Sequence, residues 1–149
     1  MSNLTPLEQF VLVPFLRLHD TIYRKTDGRI GHQIPGMPPS LLLHTVGAKT
    51  GQPRTTTLTH AKDGDSYLVV ASKGGDDHNP GWYHNLRKRP DCEINVGPKR
   101  IAVTARKVGP DDSGYARQWE LVNKNNGNRY NGYQSRTSRP IPIFALTPR

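Results

Sequence analysis

The chain has 149 residues and a mass of 16.7 kDa, one domain's worth of sequence, with 34% hydrophobic residues and a mean hydropathy of −0.70. No apolar run approaches the roughly 18 to 20 residues that cross a bilayer as a helix, and a single cysteine, Cys92, excludes an intramolecular disulfide framework. Lys and Arg number 21 against 12 Asp and Glu, and the net charge of +9 asks for an anionic partner: nucleic acid, an acidic membrane face, or a phosphorylated or carboxylated small molecule.

Residues 1–30 are expected to form an amphipathic helix rather than a signal peptide, because no basic start precedes an apolar stretch with a small-residue cleavage site. Thr5-Pro6-Leu7-Glu8 fits a capping box with proline at the first helical position. Leu7, Phe10, Val11, Phe15, Leu18 and Ile22 then recur at helical spacing, Pro14 kinks the run, and Asp27-Gly28 stops it. Residues 31–40, rich in Gly and Pro, read as a linker loop to a domain over residues 41–149.

From there the texture becomes short strands: 41–46, 55–60 and 67–71, with Asp63-Gly64-Asp65 as a hairpin signal. Residues 82–88 read as a short helix. Residues 93–96 and 101–107 form a second hairpin across Gly97-Pro98, 111–124 a helix acidic at its start and basic at its end, and 141–146 a last strand. Strands joined by hairpins, with helices at the margin, predict one mainly β domain built as a small antiparallel barrel.

Four stretches could carry chemistry. Gly47 to Thr57 is a strand–turn–strand crossing whose glycines allow close approach of an anion, with Lys49 as a point charge and Arg54 as a bidentate fork. Ala71-Ser72-Lys73-Gly74-Gly75 places a hydroxyl and a cation at the end of a very apolar strand. Asn79 to Leu86 opens a helix, a natural anion site, beside Trp82 and Tyr83. In Tyr130 to Arg139, two tyrosines in polar, irregular sequence read as a lid that donates protons or stacks on a planar ligand. Each has a plainer reading as well: a solvated basic hairpin tip, a Gly-Gly turn, a capped helix inserting Trp82 into the core, and surface tyrosines. The six histidines include no paired metal-ligand spacing, so no metal is expected, and Cys92 reads as a packing residue.

Taken together and in this order, the runs Thr45–Leu58, Val69–Gly75, His78–Leu86 and Tyr133–Ile143 resemble the deazaflavin (F420)-dependent nitroreductase family of actinobacteria. The resemblance extends from about Leu41 to Leu146. It implies a split β-barrel of the FMN-binding, pyridoxamine-oxidase-like type with peripheral helices. It also implies the coenzyme F420, which carries a phosphodiester and a glutamate tail, and hydride transfer from its reduced form to nitroaromatics, quinones or other electron-poor acceptors.

By the same resemblance, Ala48, Lys49, Thr50, Arg54, Thr55, Thr56, Thr57, Leu58 and Thr59 hold the phosphate and tail. Val70, Ala71, Ser72 and Lys73 run along the ring, and Gly81, Trp82, Tyr83, His84 and Asn85 close its other side. Tyr133 and Tyr130 form the aromatic acceptor pocket, Tyr133 also touching the coenzyme, with Ser72 pointing at the acceptor and Ser72, Tyr133 and Tyr130 as catalytic candidates. Other readings compatible with the sequence are an FMN-binding split-barrel protein and a basic nucleic-acid-binding module. The cytoplasm is the expected location, with the N-terminal helix suited to an anionic membrane face near lipid quinones.

Overall fold

The computed structural model describes residues 38–149, so the expected N-terminal helix over 1–30 and most of the linker over 31–40 lie outside the described residues. Seven strands form one sheet in the order β2-β1-β5-β6-β7-β4-β3, and every neighbouring pair is antiparallel. Strand β1 (Ser40–Val46) pairs along its length with β2 (Pro53–Thr59), from Ser40 opposite Thr59 to Val46 opposite Pro53. Strands β3 (Ala61–Asp63) and β4 (Ser66–Val70) form the hairpin signalled by Asp63-Gly64-Asp65. Strands β5 (Asp91–Val96) and β6 (Lys99–Val108) form the one signalled by Gly97-Pro98, and β7 (Ile143–Pro148) joins β6 to β4.

The sheet curls, and its two faces bury different things. Inside the curl, Leu41, Leu43, Val69, Ile94, Val103, Phe144 and Leu146 meet Trp82 and Leu86 of helix α1 (Gly81–Lys88), which closes the core like a stopper. The Trp82 and Tyr83 rings both approach Phe144 edge-on, at 5.7 and 5.6 Å between centroids. On the outer face, Leu68, Val70, Ile143 and Ala145 are covered by Val122 of helix α2 (Tyr115–Asn125) and Tyr130 of helix α3 (Arg129–Gln134). Alternation along β4 explains the division: Val69 points in, while Leu68 and Val70 point out, so the strand is apolar on both sides. Burying a side chain such as Phe144 or Leu41 contributes roughly 1.5–3 kcal/mol.

Two expectations are corrected. The helix predicted over 111–124 begins at Tyr115, because Asp112 uses its carboxylate to accept the Gly109 N–H at 2.8 Å and holds a turn. The first half of the stretch read as an irregular lid is helix α3, started by Asn128 in the left-handed region at φ 61°, and residues 135–139 are turn and bend.

Candidate functional site

The β1–β2 turn is built around Gly47. Its N–H donates to the Gln52 carbonyl at 2.8 Å, and a Cβ there would lie 2.5 Å from Thr50 Oγ1, so a larger residue would have to displace the Thr50 side chain. Three hydrogen bonds fasten the turn to α1. The Ala48 N–H donates to Asn85 Oδ1 at 2.8 Å, Asn85 Nδ2 donates to Thr45 Oγ1 at 3.1 Å, and Lys88 Nζ donates to the Ala48 carbonyl at 2.8 Å. Asn85 is buried, and its amide serves this clamp from the cleft wall.

Between the turn and α1 opens a cleft of about 470 Å³. Lys49, Thr50, Arg54, Thr55, Thr56 and His84 line it together with Gly81 and Trp82, and no carboxylate does among the described residues. The backbone N–H groups of Lys49 and Thr50 have no hydrogen-bond partner among the described residues. The positive end of the α1 dipole opens on the same space. Cations, unpaired donors and a helix N-terminus without an opposing acid make this a place for a multiply negative ligand.

A second locus follows β4. Ser72, buried with 8% exposure, leads into the turn Lys73-Gly74-Gly75, whose residues take φ of 46°, 66° and 87° in succession. A Cβ on Gly75 would stand 2.5 Å from the Tyr133 carbonyl, so α3 rests directly on this turn. Arg139 crosses behind it. Its guanidinium donates to the carbonyls of Ala71, Ser72 and Asp76 and to Asn79 Oδ1, at 3.2, 2.9, 2.8 and 2.9 Å respectively.

The residues proposed from the sequence therefore separate into groups. Ala48, Lys49, Thr50, Arg54, Thr55, Thr56, Gly81, Trp82, His84 and Asn85 come together at the cleft. Ser72, Lys73 and Tyr133 come together at the second locus, which Ala71 joins to α1 through the inner core it shares with Trp82. Leu58 packs against that core, and Tyr83 lies on Phe144, outside the cleft lining. Thr57 stands opposite Leu42, on the face away from Leu41 and Leu43, and alternation puts Thr59 there too.

Val70 and Tyr130 belong to the outer core, and Tyr133 packs against it partly buried. Burial pushes the Tyr130 phenol well above its ordinary pKa. Burial likewise pushes the Cys92 thiol up to about 11, in keeping with a packing residue. Gly47 and Arg139 were named from the sequence only as members of their motifs, and Lys88 was not singled out. Lys88, one turn after Asn85 and facing the same way, could have been read. Among the described residues no helix is long and apolar enough to cross a membrane, and no three His, Cys, Asp or Glu side chains gather as a metal site.

Comparison with known proteins points to a family. The profile of the F420H(2)-dependent quinone reductase family matches residues 15–148. An F420H(2)-dependent quinone reductase of Mycobacterium tuberculosis is 70% identical over 143 residues, covering 96% of each chain. Among solved structures, an F420-H2 dependent reductase is 34% identical and superposes with a TM-score of 0.65, covering 72% of this chain and 93% of the other. A Listeria innocua protein described as a pyridoxamine 5′-phosphate oxidase is 18% identical with a TM-score of 0.53, covering 89% of this chain and 94% of its own. That last likeness speaks for the fold alone, and it agrees with the expected split barrel. With a family match that begins before β1 and runs to within one residue of the C-terminus, the chain belongs to the F420H(2)-dependent quinone reductase family.

Proposed function

We propose that this protein binds reduced F420 in the cleft between the β1–β2 turn and α1 and uses it to reduce a quinone held toward Ser72 and Tyr133. The observation that carries the reading is the cleft itself: among the described residues, Lys49, Arg54, His84 and two unpartnered backbone amides surround it, and no acid does. A coenzyme with a phosphodiester and a glutamate tail fits that donor set. The space Gly47 leaves beside Thr50 allows the turn to close tightly behind it. Arg54 offers the fork that matches a phosphate or carboxylate, and Lys49 a mobile point charge.

When bound, the reduced coenzyme supplies a hydride. The chain's own residues do the rest. Trp82, anchored on Phe144, gives the cleft a rigid apolar wall that excludes water from one side. A quinone gains negative charge on oxygen as it is reduced, and the Ser72 hydroxyl and Tyr133 phenol are donors suited to that oxygen. Tyr133 holds the proton at its Oη. A nitroaromatic acceptor presents the same combination of planar ring and charge-gathering oxygens, and the same donors would serve it.

Titration with F420 and FMN in parallel, followed by turnover with menadione and a nitroimidazole, tests the reading. Wild-type protein is expected to quench deazaflavin fluorescence and ignore FMN. Tyr133→Phe is expected to lower kcat by about 10²-fold, and Ser72→Ala by less. Unchanged rates in both variants would remove these side chains from the reaction, and tight FMN binding would replace the coenzyme assignment.

A further inference from the structure

The turn Lys73-Gly74-Gly75 is costly to hold. Three successive residues lie in the left-handed region, and the first of them is not glycine. Such backbone persists only where its surroundings over-determine it. Local bonds are few: the Gly75 N–H donates to the Ser72 carbonyl at 3.0 Å and the Asp76 N–H to the Lys73 carbonyl at 3.1 Å. A further restraint comes from Arg139, which lies more than sixty residues further along the chain. Its guanidinium takes the Ala71 and Ser72 carbonyls on the entry side of the turn, and the Asp76 carbonyl and Asn79 side chain on the exit side.

Arg139 is itself held from the other direction. Gln134, the last residue of α3, donates from Nε2 to the Arg139 carbonyl at 2.8 Å, and its Oε1 accepts the Ile141 N–H at 2.9 Å. One residue back on that helix, the Tyr133 carbonyl abuts Gly75. Two independent bridges therefore tie Tyr133 to the Ser72 turn, and one of them passes through a single planar cation.

From this we infer that Arg139 is a positioning residue: it sets the spacing between the Ser72–Lys73 turn and Tyr133 without touching the coenzyme cleft. The inference rests on the proposed quinone reductase reading for its kinetic consequence and on the geometry alone for its structural one. Only arginine suits the position, because its donors fan out in one plane to reach four acceptors on two sides of a turn. A lysine keeps the charge but offers a point where a bracket is needed. Arg139 is absent from the cleft lining, so the groups that hold the coenzyme do not depend on it directly.

The test uses the full chain with Arg139→Lys, and Arg139→Gln as a second variant, in two measurements. Amide hydrogen exchange is expected to show Gly75 and Asp76 opening at least about tenfold faster in R139K, with Leu43 and Ile94 in the central strands unchanged. In turnover with F420H2 and menadione, R139K is expected to keep the coenzyme Kd within about threefold while kcat falls about tenfold or more. A uniform rise in exchange across the sheet, or equal losses in coenzyme affinity and kcat, would make Arg139 a general structural residue and overturn the inference. So would unchanged exchange at Gly75 and Asp76. Wild-type protein that neither binds F420 nor reduces menadione would instead overturn the functional reading. The exchange measurement would then decide the role of Arg139 by itself.

Discussion

The inner-face cleft and the outer-face helical cap carry similar residue types and use them in opposite ways. In the cap, Arg117 grips Asp63 with two bonds of 2.7 and 2.8 Å, Gln118 adds a third to the same carboxylate, and Trp119 Nε1 donates to Asn131 Oδ1. Asn125 Nδ2 donates to the His60 carbonyl, and the Tyr115 hydroxyl to that of Ile141. Donors there meet acceptors within the chain. At the cleft, Lys49, Arg54 and the Lys49 and Thr50 amides face no acid among the described residues, and the bonds that do form are behind them, between the turn and α1. A cation paired inside the protein holds a helix in place, whereas cations lining a concave space without a neighbouring carboxylate suit an anionic ligand. Arg117 on one side and Lys49 and Arg54 on the other thus use the same charge in different ways.

The sharpest way to break this contrast is to remove charge on each side. Arg54→Gln is expected to weaken F420 binding by roughly 10- to 100-fold, the worth of a charge-assisted hydrogen bond. Arg117→Gln should leave the Kd within about twofold, since the site is remote, but lower the thermal midpoint. Equal effects of both on Kd would show that the cleft acts only through overall charge. Next in size, Asn85→Ala leaves the Ala48 N–H and Thr45 hydroxyl without their partner and should cost about 1–3 kcal/mol in urea unfolding. Coenzyme binding should weaken alongside, because the turn bearing Lys49 loses its tether to α1.

A smaller effect tests the cap through pH. The Arg117 hydrogen bonds, with help from Gln118, hold the Asp63 carboxyl down at about 2, below its ordinary value of 3.8. A carboxylate with a lowered folded pKa stabilises the fold fully above its unfolded pKa. That contribution is lost as pH falls from about 4 through about 2. With Arg117 largely solvated it amounts to about 1 kcal/mol. Asp63→Asn should therefore be less stable than wild type at pH 7, and the difference should shrink toward pH 2 in unfolding curves. A difference constant across that range would mean that the ion pair contributes nothing. Smallest of all, Cys92→Ala should leave turnover unchanged. The wild-type thiol, pushed up to about 11, should resist iodoacetamide at neutral pH until the protein unfolds.

Much of the fold was legible because its signals are local. The apolar run 41–46, the Gly-containing hairpin turns and the Pro80-Gly81 helix start each depend on a handful of adjacent residues, and each appears within a few positions of its expected place. Helix α3 was not legible: its sequence, Arg-Tyr-Asn-Gly-Tyr-Gln, lacks helical propensity. It forms because Tyr130 is buried in the outer core and the Asn123 side chain accepts the Asn131 N–H. The β2 threonines show the same limit. Alternation along the strand could be read directly, but only the register with β1 decided that Thr56 shares a face with Leu43, and Thr57 with Leu42.

By itself the sequence determined a mainly antiparallel β protein, a basic Gly-framed turn, and a set of ordered motifs strong enough to point to a family. Local backbone preference and charge need no distant partner to be read. Only the tertiary structure decided which cations of the described residues meet an acid, that Tyr130 is buried while Tyr133 is only partly so, and that Arg139 brackets the Ser72 turn. Each of those depends on groups brought together from far along the chain: the Arg139 guanidinium meets the Ser72 carbonyl across 67 residues of sequence. Burial and pairing belong to the packed molecule, and no pattern of neighbouring residues encodes them.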